Sequence, residues 1–112
     1  MEFDMFKIEV FIPEEYVDNL REALNNIGAL TVGGNYDSCM SKTKVVGCWR
    51  PLDNANPFNG EVGKLCTAEE MKVEFCSNND KIKQVIEVIR KVHPYEEPVI
   101  NIIPVLHYKK FI

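Results

Sequence analysis

The sequence predicts an α+β fold of the split βαβ kind, an antiparallel sheet with two helices packed on one face, and three observations carry that prediction. Phe6, Ile8, Val10 and Ile12 alternate with Lys7, Glu9 and Phe11, and alternation returns at 69–76, which is the period of a strand with one buried face. Each of these runs leads into a segment whose apolar residues recur at helical spacing. The stretch HPYEEPVINIIPV at 93–105 then places a helix stop, a proline-framed acidic turn and an apolar strand in direct succession.

The first strand is set by Phe6, Ile8, Val10 and Ile12 and is stopped by Pro13. Proline suits the first turn of a helix, Glu14 and Glu15 suit its positive end, and Val17, Leu20, Leu24 and Ile27 share one helical face. Gly28 is placed to cap that helix, and 29–35 reads as a connection. A β-like run is expected from Tyr36 to about Leu52, with Gly47 as a place for a bend, followed by a loop over 53–67 rich in Asn, Gly and Pro. A loop of that length is unusual in a compact domain and marks a candidate for function. Met71, Val73 and Phe75 oppose Lys72 and Glu74 in the next strand, and Ser77 or Asn78 is placed to cap a helix carrying Ile82, Val85, Ile86, Ile89 and Val92, with Glu87 and Lys91 spaced to pair. The last strand, Val99 to Leu106, is apolar on both faces apart from Asn101. At a sheet edge such a strand is an aggregation hazard, and closed self-association removes it.

The chain has 112 residues, which suits one domain over 1–112 with its core at about 5–106. Thirteen basic residues against seventeen acidic ones give a net charge of -4, and the basic residues are scattered, which excludes nucleic acid as a partner bound by phosphate neutralisation. The pair Lys109 and Lys110 follows the last strand and reads as a solvated tail. No run of about 18 apolar residues offers a membrane span, and Glu2 and Asp4 stand where a signal peptide carries basic residues, so no membrane partner and a cytoplasmic location are expected. Cys39, Cys48, Cys66 and Cys76 fit no zinc or CxxC spacing and read as reduced thiols.

Four ordered segments carry a resemblance: GNYDSC at 34–39, RPLDNANPFNGEVG at 50–63, EEMKVEFC at 69–76 and HPYEEP at 93–98. Across residues 5–106 the chain resembles the PII/CutA-like domain inserted in NIF-three-like (YqfO-type) dinuclear-metal proteins. The resemblance implies a ferredoxin-like fold, a homotrimer, and a place for the effector and partner loop of PII relatives in the long loop here. It implies no dimetal site within these 112 residues, because the metal ligands of the longer proteins belong to flanking domains.

Three clusters are candidate sites. His93, Glu96 and Glu97, beside Tyr95, offer an imidazole and two carboxylates that suit a divalent metal if another chain or loop adds ligands, against a purely structural role at a helix end. Asn35, Tyr36, Asp37 and Cys39 place a thiol and a carboxylate two residues apart, on one face if extended, against a buried structural thiol. Trp49, Arg50 and Phe58 frame the long loop as a pocket for a planar or anionic ligand or a protein partner, against a core or subunit-contact role for Trp49. GEVG at 60–63 is no P-loop, and His107 near the tail carries no assigned role. The leading expectation is a trimeric module binding a small ligand or a protein partner, with no catalysis asserted and a divalent metal as the one candidate cofactor. The alternatives are a CutA-like divalent-metal protein and an enzyme using the Cys39 thiolate.

Overall fold

In the computed structural model, which describes residues 3–112, four strands and two helices follow in the order βαββαβ. The acidic Glu2 of the leader argument lies outside the described residues. Strand β1 is Met5–Ile12, β2 Ser41–Trp49, β3 Cys66–Asn78 and β4 Ile100–Val105; helix α1 is Val17–Asn26 and α2 Ile82–Val92. The sheet is antiparallel throughout in the order β2-β3-β1-β4, so β4 lies at an edge as its sequence predicts. Pro104 is tolerated there because an edge strand has a free side that needs no N–H donor.

Register sorts the side chains. Ile8 pairs with Phe75 and Ile102, and Val10 with Val73 and Ile100, so these residues line up on the face covered by the helices. Against them pack Val17, Leu20 and Leu24 of α1 and Val85 and Ile89 of α2, which with Ile12, Met71, Ala29 and Leu30 complete the buried core. On the opposite face Lys7, Glu9, Lys72 and Glu74 form a ladder of ion pairs, with Lys7 Nζ 2.8 Å from Glu74 Oε1. No helix of the described residues is long and apolar enough to cross a membrane.

Several boundaries differ from the sequence expectation for local reasons. The run expected from Tyr36 begins as a strand only at Ser41, because Val32 and Tyr36 bridge across Gly33 and Gly34, both at positive φ, and Cys39 N–H donates to Leu30 O. Strand β3 is 13 residues long, so the irregular connection is 50–65 rather than 53–67. Both helices open with a single turn of 3-10 helix, Glu14–Tyr16 and Asn79–Lys81. Neither Ser77 nor Asn78 caps α2 with its side chain: Ser77 is buried in β3, and Lys81 instead donates from Nζ to Ile27 O at the end of α1, tying the two helices together. Among the described residues no ion pair joins Glu87 and Lys91. Gly47 does not bend β2, which pairs continuously with β3 from Ser41 to Trp49. In the tail Lys110 Nζ lies 3.0 Å from Asp4, and His107 Nδ1 accepts from Lys109 N–H.

Candidate functional site

The β1 pairing ends at Ile12 opposite Met71, whereas β2 and β3 remain paired out to Trp49 opposite Cys66. Beyond that point the hairpin is a two-stranded arm without β1 beside it. The connection 50–65 is folded back by its own hydrogen bonds: Ala55 N–H donates to Leu52 O and Gly63 N–H to Pro51 O. Two further bonds dock it. Trp49 Nε1–H donates to Asn59 O at 3.1 Å, and Asn56 N–H donates to Glu96 Oε2 at 2.9 Å, joining the loop to the turn that follows α2. Gly60, at φ +103°, passes so close to Cys66 Sγ and Trp49 Nε1 that a Cβ would crowd both.

Phe58 contacts the rings of two tyrosines, Tyr16 and Tyr95. It meets Tyr16 edge-on at a centroid distance of 5.9 Å and Tyr95 tilted at 5.9 Å. Such pairs contribute about 0.5–1.5 kcal/mol each beyond burial, so the loop is held chiefly by aromatic contact and two hydrogen bonds. Between loop, arm and turn lies a cavity of about 620 Å³, within the range of small-molecule sites. Trp49, Phe58, Tyr95, Phe11, Leu52 and Val99 supply its apolar walls, while Arg50, Glu70, Glu96 and Glu97 supply charge.

His93 stands behind this wall. Its backbone caps α2, it is 6% exposed, and both ring nitrogens are engaged: Nε2–H donates to Phe11 O and Nδ1 accepts from Tyr95 N–H at 3.2 Å. That pair of partners fixes the neutral tautomer. Burial holds the His93 pKa below the usual imidazole range, against the opposing pull of the Phe11 carbonyl and the Glu70 charge. Tyr95, 4.8 Å from the imidazole centroid to centroid, is pushed well above the phenol range, first by burial and then by the Glu70 carboxylate beside it.

The structure thus brings Trp49, Arg50, Phe58, Tyr95, Glu96 and Glu97 to one cavity, three of them from the loop region and three from the turn 40 residues later. Asn35, Tyr36, Asp37 and Cys39 are elsewhere, in the connection after α1, where the Cys39 thiol faces the carbonyls of Tyr36 and Asp37. With both nitrogens of His93 committed, that histidine offers Cys39 no base. Among the described residues no three His, Cys, Asp or Glu side chains gather as a metal-binding group, so His93, Glu96 and Glu97 do not form one within a single chain. Glu70, Gly47 and Phe11 belong to the site without having been picked out by sequence. The alternation of Glu70, Lys72 and Glu74 places Glu70 on the open face, but only the pairing register shows that it projects beyond β1 and over Gly47.

Comparison with known proteins agrees with this architecture. The family model described as CutA1 divalent ion tolerance protein matches residues 38–112. A Bacillus subtilis protein named GTP cyclohydrolase 1 type 2 homolog is 40% identical over 99 residues, covering 88% of this chain and 26% of the relative. The Halalkalibacterium halodurans protein of the same name is 37% identical over 100 residues, covering 89% and 27%. The chain therefore spans about a quarter of the length of these relatives. Among solved structures, a Bacillus cereus protein related to NIF3 superposes with a TM-score of 0.79 at 28% identity, over 94% of this chain and 26% of that one. CutA from Synechococcus elongatus superposes with a TM-score of 0.68 at 17% identity, over 94% and 80%, a likeness of fold.

Proposed function

The chain belongs to the CutA1 divalent ion tolerance family, and from that premise we propose that it is a single-domain, self-associating module that binds a small ligand in the cavity beneath its 50–65 loop. The observation that carries this reading is the cavity itself: about 620 Å³, walled by aromatic rings and closed by a loop that is docked rather than packed. Loop residues then couple occupancy to the shape of an exposed surface, the means by which a ligand alters contact with a protein partner. No catalytic step is assigned. Cytoplasmic placement is in keeping with four cysteines that are all free thiols.

Trp49 is the only tryptophan and lines the cavity, so its emission reports occupancy directly. A neutral solvatochromic probe, prodan, is expected to bind with energy transfer from Trp49, and Phe58→Ala is expected to weaken it about tenfold by releasing the loop. Absence of prodan binding to the wild-type chain overturns the ligand-site reading.

Self-association as a homotrimer is supported by the outward side of β4 and the open face, where Ile103 is 39% exposed. Native mass spectrometry should give a trimer for the wild type and a folded monomer for Ile103→Asp, since Ile103 is peripheral to the buried core. A wild-type monomer refutes that part of the proposal. Divalent metal, if held, requires ligands from a second copy, because one chain gathers no three donors among the described residues. Metal analysis of the purified trimer tests it.

A further inference from the structure

Glu70 is a buried carboxyl side chain that pairs with no basic residue among the described residues. The residue is 8% exposed, and its carboxylate lies against the backbone of Gly47 on the neighbouring strand, where a Cβ would overlap an oxygen. Among the described residues the lysines nearby are spoken for: Lys44 pairs with Glu69 on the other face, and Lys72 with Glu9 and Glu74 further along β3. Among the described residues no ion pair involves Glu70. Tyr95, whose phenol is hydrogen-bonded to Glu70, and His93 supply no positive charge either, since the phenol stays neutral and burial keeps the imidazole uncharged near neutral pH.

A carboxylate taken out of water without a counter-charge is unfavourable, and the deficit is removed when a cation enters. Glu70 faces the 620 Å³ cavity, whose walls include the rings of Trp49, Phe58 and Tyr95. Aromatic faces attract cations, most strongly where water is excluded. Glu96 and Glu97 add negative charge at the mouth, and the one basic side chain in the lining, Arg50, is exposed. An anionic ligand meets three carboxylates there; a cationic one meets a buried partner and aromatic walls.

We propose that the cavity takes a small organic cation, an ammonium, amidinium or guanidinium group on an apolar or planar body, with Glu70 as its counter-ion and the rings of Trp49 and Tyr95 as its walls. This rests on the reading of the cavity as a ligand site and specifies the ligand's charge.

The test uses benzamidine, benzamide and benzoate, which share a ring and a planar head and differ in charge. Trp49 emission and calorimetry on the full chain should show benzamidine binding at least tenfold more tightly than benzamide, with benzoate weakest. In Glu70→Gln, which keeps the side-chain shape, the benzamidine advantage should vanish. Equal binding of the three by the wild type, or preference for benzoate, overturns the inference while leaving the ligand site standing; so does benzamidine affinity unchanged in a folded Glu70→Gln. If prodan binds and none of the three does, the charge assignment fails alone. If prodan fails as well, the ligand-site reading falls with it.

Discussion

Replacing His93 by alanine is expected to lower the stability of the folded chain by about 2–4 kcal/mol, because it leaves two partly buried backbone groups, Phe11 O and Tyr95 N–H, without their partner. The side chain joins three elements: the end of β1, the C-terminus of α2 and the turn that carries Tyr95 and Glu96. The same geometry makes the contribution depend on pH. In the unfolded chain the imidazole takes its proton near the ordinary value of 6.5, whereas burial lowers the pKa of the folded form. Between those two values the unfolded state binds the extra proton, so stability falls as pH falls. The His93 contribution is complete above about 6.5 and is lost as pH drops through the folded pKa. A protonated ring also cannot accept the Tyr95 N–H, since both nitrogens then donate. Urea denaturation across pH 8 to 5 should show this loss in the wild type and a shallower dependence in His93→Ala; parallel profiles would contradict the assignment.

The four-strand order was readable because period and punctuation agreed along the chain. Ile8, Val10 and Ile12 are buried where the alternation put them, and Leu20, Leu24, Val85 and Ile89 lie on the helical faces their spacing marked. Boundaries failed where a tertiary contact overrode propensity. Tyr36 has a β-forming side chain, yet its backbone closes a glycine turn instead of entering β2. Lys81 reaches across to Ile27 O and satisfies a carbonyl at the end of α1, while the start of α2 has no side-chain cap from Ser77 or Asn78.

The site was half readable for a similar reason. Trp49, Phe58 and Tyr95 stand out as large aromatics in segments rich in turn residues, and such residues need something to pack against. Their convergence was not visible, because Asn56 and Glu96 meet across 40 positions of sequence. Glu70 looked like one more polar residue in an alternating strand. Its burial arises from Gly47 on the adjacent strand, whose missing side chain makes room for the carboxylate, and from the loop folding over both. The sequence at His93 suits either a helix-end charge or a ligand; its two backbone partners, 82 and two residues away, give it a positioning role behind Tyr95.

Stability and binding are separable in this architecture, and Ile8→Ala shows where the first resides. Ile8 is fully buried in the central strand β1, between Phe75 of β3 and Ile102 of β4 and beneath both helices. Truncation removes three carbons from a packed site flanked on every side, so little collapse is available and the cost should be about 2–5 kcal/mol. On a domain of this size each kcal/mol lowers Tm by roughly 4–8 °C, which makes the loss plain in a thermal melt. The contrast is Val46→Ala on the arm, where the side chain is 72% exposed and the expected change is within about 0.5 kcal/mol. At a temperature where Ile8→Ala remains folded, its prodan affinity should match the wild type, because no atom of Ile8 lines the cavity. Phe58→Ala should do the reverse, losing the probe with a small change in Tm, since Phe58 is half exposed and lies outside the buried core. If Ile8→Ala loses probe binding while still folded, the arm is not an independent platform, and the cavity is then maintained by the packing of β1 against the helices instead of by the loop's own contacts.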